Sequence, residues 1–351
     1  MDRINLEASM EEDRRWSYVR PPSNKVKFGE RGLAKELRHW HCFDPILVSA
    51  PDASGFVPAI CLPELSRKLH RGMLLQHKAI MLILAVSIAF IGMLLLFGAG
   101  NVVKLRQLLL ASAVCFAFFS SDYFLTLRSL KSTQERSMFV TYIYHRPKHV
   151  LFPLIALMLA CGGIQIFLQA DASGLEPLLY EYGLVFSRAS DGEYWRFISG
   201  PMLHSGWAHW VGNFIALFIA GAVASAIGRR TLVFHFFAYV IVSALAVSAL
   251  PDSVRPDAFL GLSGGIFGLF GWIGGVSLRT PEDFPERFAL FAISFSILSV
   301  ILSILLSANS SNTAHLVGLG TGLVVGLTKS GLNSHFTAWK LMDRPAPLRK
   351  R

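Results

Sequence analysis

The 351-residue chain is poor in charge. Asp, Glu, Lys and Arg together make 16% of it, against about a quarter in an ordinary soluble domain. Cysteine is scarce as well. Cys42, Cys61, Cys115 and Cys161 show no paired spacing, and two of them lie inside apolar runs. That argues against a disulfide framework and against a zinc pattern. His39, His41, Cys42 and Cys61 together fit no standard metal-ligand spacing. The N-terminus is polar and carries no cleavable signal-peptide pattern. Acidic residues are outnumbered, 23 against 33 Lys and Arg, for a formal charge of +10. Such a balance can mark a nucleic-acid partner. Here the basic residues cluster between apolar runs, the arrangement of membrane loops, so no nucleic acid is expected.

What is abundant is apolar sequence, 53% of the chain. Runs near twenty residues recur, and these define an all-α polytopic membrane protein. They cover 79–100, 108–127, 150–169, 204–227, 231–250, 258–278, 288–306 and 313–328. Ser120, Ser121 and Asp122 interrupt the second. Residues 1–78 form a polar, basic cytosolic region in which Pro21, Pro22, Pro45, Pro51, Pro58 and Pro63 break any long helix, with short folded pieces such as one around Leu33 to Trp40. Residues 79–148 hold two helices and a basic loop, 149–329 a six-helix core, and 330–351 a basic tail.

Orientation follows from charge. With the N-terminus inside, thirteen Lys and Arg precede Ala79, and only Lys104, Arg106, Arg188, Arg196 and Arg255 fall outside. Both termini are therefore expected on the cytoplasmic side. A bacterial inner membrane suits this pattern; an organelle membrane is the alternative.

This topology sets four polar residues at one depth. Ser263 lies in Gly261-Leu262-Ser263-Gly264 at the outer end of the sixth run. His209 and Asn213 lie near the outer end of the fourth, with His204 at its mouth, and His315 near the outer end of the eighth. Polar groups at membrane depth are costly unless they face protein or water. Gly318, Gly322 and Gly326 recur every four residues after His315, and seven glycines crowd the sixth run from Gly261 to Gly275. Small-residue faces let helices approach closely, so the Ser263 and His315 helices are expected to touch. A histidine base could then activate the serine hydroxyl. Asn213, His209 and the Ser263 N–H could hold an oxyanion. No acidic residue is placed to orient His315, so the expectation is a dyad.

Gly261-x-Ser263-x-Gly265 also fits the nucleophile elbow of soluble hydrolases. That motif needs a preceding strand, and the candidate acids Glu282 and Asp283 fall on the other side of the membrane from His315. A transporter would place ionisable groups near the bilayer midplane; the central parts of the last six runs have no Asp, Glu, Lys or Arg.

The constellation resembles the rhomboid family of intramembrane serine proteases. The matching residues are His204-x4-His209-x3-Asn213, Gly261-Leu262-Ser263-Gly264, Ala314-His315-Leu316-Val317-Gly318 with Gly322, and Tyr194-Trp195-Arg196 in the first external loop. The resemblance covers about Lys148 to Lys329. It implies cleavage of transmembrane protein substrates in the lipid bilayer, without a cofactor. Ser263 would be nucleophile, His315 base, and His209 and Asn213 oxyanion donors. His204 would be a supporting residue, and Trp195 and Arg196 would anchor the loop in the interface. Relatives often carry tyrosine where this chain has Phe267, which keeps ring packing and loses a hydroxyl. The alternative function is a catalytically silent relative that binds transmembrane clients.

Overall fold

A computed structural model describes residues 15–20, 25–51, 53, 55–98, 100–145, 149–171, 174–228, 230–306 and 312–328. The expected basic tail, 330–351, lies outside the described residues. Two compact units divide the described residues, one within 15–145 with 284–287, the other within 149–283 with 288–328.

The first unit begins as a small α/β domain. Strands β1 (Ser17–Val19), β2 (Lys27–Phe28), β3 (Leu47–Ser49) and β4 (Val57–Pro58) form an antiparallel sheet in the order β2-β1-β3-β4. Helix α1 (Glu30–Glu36) follows β2. The core gathers Tyr18, Leu33, Trp40, Ile46, Val48 and Ile60. Cys42 joins it, and burial pushes its thiol pKa up to about 12, so this cysteine packs as a small apolar residue. Arg20 closes the surface of the domain, donating to Glu36 at 2.5 Å and to Asp44 at 3.2 Å. The Arg20 hydrogen bond holds the Glu36 carboxyl below its ordinary pKa.

Helix α2 runs from Pro63 to Leu96 without a break. It starts well before the apolar run at Ala79. Pro63 occupies the first helical position, where its missing N–H costs nothing, and so opens a helix instead of breaking one. At about 1.5 Å per residue the helix is roughly 50 Å long, against about 30 Å of hydrocarbon. Its first turns supply Leu69 and Met73 to the core of the α/β domain. Its later turns expose Leu82, Ile83, Val86 and Phe90, the face a lipid chain would cover.

Helix α3 (Val102–Arg128) packs back along α2, with the Asn101 side chain accepting from the Lys104 N–H as N-cap. The polar interruption at Asp122 is explained by its partners. One carboxylate oxygen lies 3.0 Å from His77 Nε2, and the other accepts from Arg136 at 2.8 Å. Arg136 belongs to α4 (Leu130–His145). His77 Nδ1 is 2.9 Å from the Met73 carbonyl, and His41 stacks on the His77 ring. Removing one member of such a buried set leaves the other charge unmatched. Asp122→Ala is therefore expected to lower stability by about 3 kcal/mol, read as a fall in thermal midpoint of the purified protein. An unchanged midpoint would show that the cluster contributes nothing.

The second unit holds nine α-helices in its described residues. They are α5 (Phe152–Asp171), α6 (Leu175–Tyr182), α7 (Phe186–Ser190), α8 (Arg196–Met202), α9 (Trp207–Gly228), α10 (Leu232–Ser248), α11 (Ser263–Arg279), α12 (Phe288–Leu306) and α13 (Asn312–Thr328). A short antiparallel pair joins β5 (Leu184–Val185) to β6 (Ala258–Phe259).

Each of the eight apolar runs has a helix under it. Five described segments are long and apolar enough to cross a membrane: Pro63–Leu96, Val102–Arg128, His149–Ala170, Trp207–Gly228 and Phe288–Leu305. Helices α10, α11 and α13 have 17 residues each, about 25 Å. The chain is an all-α, multi-pass integral membrane protein with a small N-terminal sheet.

Helix α11 is buried along nearly its whole length, from Ser263 to Ser277. Its partner is α13, and the contact is made of backbone. A Cβ on Gly318 would strike the Gly264 carbonyl, one on Gly322 the Gly268 carbonyl, and one on Gly326 the Trp272 carbonyl. From the other side, Gly271 and Gly275 meet the carbonyls of Leu319 and Leu323. The glycine stripes read from the sequence are thus the seam between the two helices.

Candidate active site

Helices α9, α11 and α13 are separated by the returning α10 and α12, so their N-terminal ends lie on one side. Ser263 is the first residue of α11, His209 and Asn213 fall in the first two turns of α9, and His315 in the first turn of α13. The α11–α13 seam then sets the lateral distance. His315 Nε2 lies 2.7 Å from Ser263 Oγ, and both side chains are buried. Phe267, one turn after the serine, stacks on the His315 ring at 4.3 Å between centroids and 25° between planes. The ring packing expected of Phe267 is present without a hydroxyl.

Gly261 shapes the turn that leads into α11. Its φ of +96° is in the region that favours glycine. A Cβ there would also lie 2.9 Å from His209 Cε1 and 3.3 Å from His209 Nε2. No side chain fits between this turn and the histidine. Gly264 is equally constrained, since its Cβ would meet the Ser243 hydroxyl.

His209 and Asn213 flank this turn on α9. The Asn213 Nδ2 is buried and has no hydrogen-bond partner among the described residues. A buried amide left unpaired is costly. His209 Nδ1 lies 3.1 Å from Ser205 Oγ. When the Ser205 hydroxyl donates to Nδ1, the ring proton sits on Nε2, the nitrogen nearest Gly261. Ser263 begins its helix, so its own N–H is among the amides without an intrahelical partner. His209 Nε2 and Asn213 Nδ2 thus both lie beside Gly261, two residues before Ser263.

His204 is fully buried and meets the His209 ring edge to face at 5.3 Å. Its backbone is clamped by Gln165 of α5, which accepts from the His204 N–H at 2.9 Å and donates to the His204 carbonyl at 2.7 Å. The residue shapes the entrance to α9 and packs against His209.

The expectation for Arg196 changes. Its side chain is completely buried instead of lying in an interface. It donates to the Gly183 carbonyl at 2.7 Å, the Tyr180 carbonyl at 3.2 Å and Glu193 at 2.7 Å. The Glu193 carboxyl is opposed by desolvation, yet hydrogen bonds from Arg196 and Arg188 hold its pKa below the ordinary value. Trp195 remains half exposed and covers the guanidinium face at 4.5 Å. Arg196 thus ties α8 to the end of α6, next to β5. Strand β5 in turn pairs Leu184 with Phe259, four residues before Ser263. Leu184, Phe186, Val247, Phe259 and Ala314 form one apolar cluster beneath the site.

Sequence reasoning missed three residues here. Gln165 and Ser205 are polar at the ends of apolar runs, a detectable but unspecific signal. Ser303 of α12 lies inside an apolar run, with its Oγ 3.2 Å from His315 Nδ1; a serine there reads as packing.

Residues 191–331 match the family model described as Rhomboid domain. This stretch includes α8 to α13 and with them His204, His209, Asn213, Ser263, Ser303 and His315. Two proteins of Klebsiella pneumoniae strains named rhomboid protease GlpG are each 26% identical over 173 residues, 48% of this chain and 60% of their own length. A Haemophilus influenzae protein of the same name is 27% identical over 187 residues, 52% of this chain and 93% of its own. Residues 191–331, which include the Ser263–His315 pair, are thus similar to a rhomboid domain.

Proposed function

We propose that the protein is an intramembrane serine endopeptidase that hydrolyses peptide bonds of transmembrane substrates near the outer face of the membrane. The observation that carries this reading is the 2.7 Å pairing of Ser263 Oγ with His315 Nε2 at the shared ends of α11 and α13. A serine hydroxyl is a weak nucleophile until a base takes its proton.

The chemistry needs no cofactor. Ser263 Oγ attacks the scissile carbonyl carbon while its proton passes to His315 Nε2. The carbonyl π pair moves onto oxygen, facing Asn213 Nδ2, His209 Nε2 and the Ser263 N–H. The intermediate collapses, the C–N bond breaks, and the departing amine takes the proton from Nε2. Water then attacks the acyl ester, giving its proton to Nε2. Collapse returns that proton to Ser263 and releases the new carboxyl terminus.

The resemblance to the proteases named above supports a substrate that is itself a transmembrane protein. The charge distribution supports both termini on the cytoplasmic side of a bacterial inner membrane. Asn213→Ala should lower turnover by about ten- to a thousandfold, the cost of one oxyanion donor, with little change in KM. An unchanged rate would move the oxyanion site elsewhere.

Labelling of the detergent-solubilised protein with a fluorophosphonate tests the reading directly. Wild type should be labelled and Ser263→Ala should not. A folded wild type that takes no label would favour a protein that binds transmembrane clients without cutting them.

A further inference from the structure

We propose that Ser303 is a positioning residue that sets the tautomer of His315, making the site a Ser263–His315–Ser303 relay. This rests on the protease reading and names a residue that reading does not need.

The His315 ring is held at three places. Phe267 covers one face, Nε2 meets Ser263 at 2.7 Å, and Nδ1 meets Ser303 Oγ at 3.2 Å. A serine at each nitrogen leaves the proton's position to be decided. With the proton on Nε2, the ring can only donate to Ser263 and cannot act as its base. With the proton on Nδ1, Nε2 has a lone pair for the Ser263 hydroxyl. Helices α9 to α13 contain no Asp or Glu, so none of them can supply the carboxylate that fixes the tautomer in a triad.

The two serines differ in local setting, and that difference selects the productive tautomer. A serine inside a helix directs its hydrogen to the carbonyl one turn back. On α12 itself, Ser296 donates to the Ala292 carbonyl at 2.7 Å and Ser299 to the Phe295 carbonyl at 2.8 Å. Ser303, in the same helix, can do the same toward Ser299, and then it offers His315 only lone pairs. Nδ1–H donates to it. Ser263 is the first residue of its helix and has no preceding turn of carbonyls, so its hydrogen turns to Nε2. The asymmetry is built from backbone position and requires no charge in the membrane.

The test is cleavage of a transmembrane substrate, with fluorophosphonate labelling, by purified wild type and by Ser303→Ala, Ser303→Thr and Ser303→Val. Ser299→Ala, one turn back on the same helix, controls for general disturbance of α12. Loss of one neutral hydrogen bond to the base should lower kcat and the labelling rate about tenfold. KM and thermal midpoint should not move. Threonine should restore most of the rate and valine, of the same shape without the hydroxyl, should not. If the alanine variant fails to fold, the threonine and valine pair decides alone. Equal rates for threonine and valine would overturn the proposal, as would an unchanged kcat in Ser303→Ala or an equal loss in Ser299→Ala. A wild type that neither labels nor cleaves would overturn the protease reading itself, and this role with it.

Discussion

Ser263→Ala and His315→Ala should each abolish cleavage of a transmembrane substrate while leaving the protein folded. Neither side chain carries the helix seam, where glycines of each helix meet backbone carbonyls of the other. The two act as one unit, because the hydroxyl is a competent nucleophile only while Nε2 can take its proton. Removing either should therefore cost about as much as removing both, several powers of ten in kcat. The double variant should be no slower than the singles. Additive losses, or cleavage retained by purified Ser263→Ala, would sink the mechanism. Thermal midpoints close to wild type are needed to read the result as chemistry, and the site's position at the helix ends favours that outcome.

The second large effect concerns the seam. Gly322→Leu should destroy the second unit's packing, with a steep fall in thermal midpoint and loss of labelling. A side chain at Gly322 would occupy the position of the Gly268 carbonyl, which belongs to the facing helix backbone. Backbone cannot swing aside as a flexible side chain can. Overpacking of this kind costs several kcal/mol, roughly the upper range for core insertions or beyond it. Displacing α13 from α11 would also separate His315 from Ser263. Gly320 is an internal control on the same helix. It has open space where a Cβ would stand, so Gly320→Ala should leave activity and stability near wild type. Equal tolerance at both positions would refute the proposed role of the glycine stripe.

Much of this was legible in the chain. The eight apolar runs, the glycines spaced by four after His315, and the placement of Ser263, His209, Asn213 and His315 at run ends are all one-dimensional patterns. Run length reports membrane thickness, and a four-residue period reports one face of a helix. Both survive without knowing any neighbour. The contact of α11 with α13 was inferable for that reason. The Phe267 stack also follows, since a residue four after Ser263 lies on the same face.

The N-terminal region was less legible. Its prolines read as helix breakers, yet Pro63 is the first residue of the longest helix. Proline has opposite meanings at the start and in the middle of a helix, and the polar turns before Ala79 hid the continuation. Asp122 looked like an interruption of a span, because its partners His77 and Arg136 lie on two other helices. The resemblance implies an interface anchor at Arg196; its bonds to the Gly183 and Tyr180 carbonyls make it an internal tie of that loop, which no local pattern shows.

The class of protein, the helices and the ends that carry polar residues follow from local composition and period, and so can be read along the chain. Which atoms meet is a matter of packing. The 2.7 Å Ser263–His315 pair, the unpaired Asn213 amide beside Gly261, and the Ser303 hydroxyl at His315 Nδ1 depend on how each helix is rotated and crossed against the next. That rotation is fixed by contacts between residues far apart in the chain, where glycine lets two backbones touch, and no local pattern encodes it.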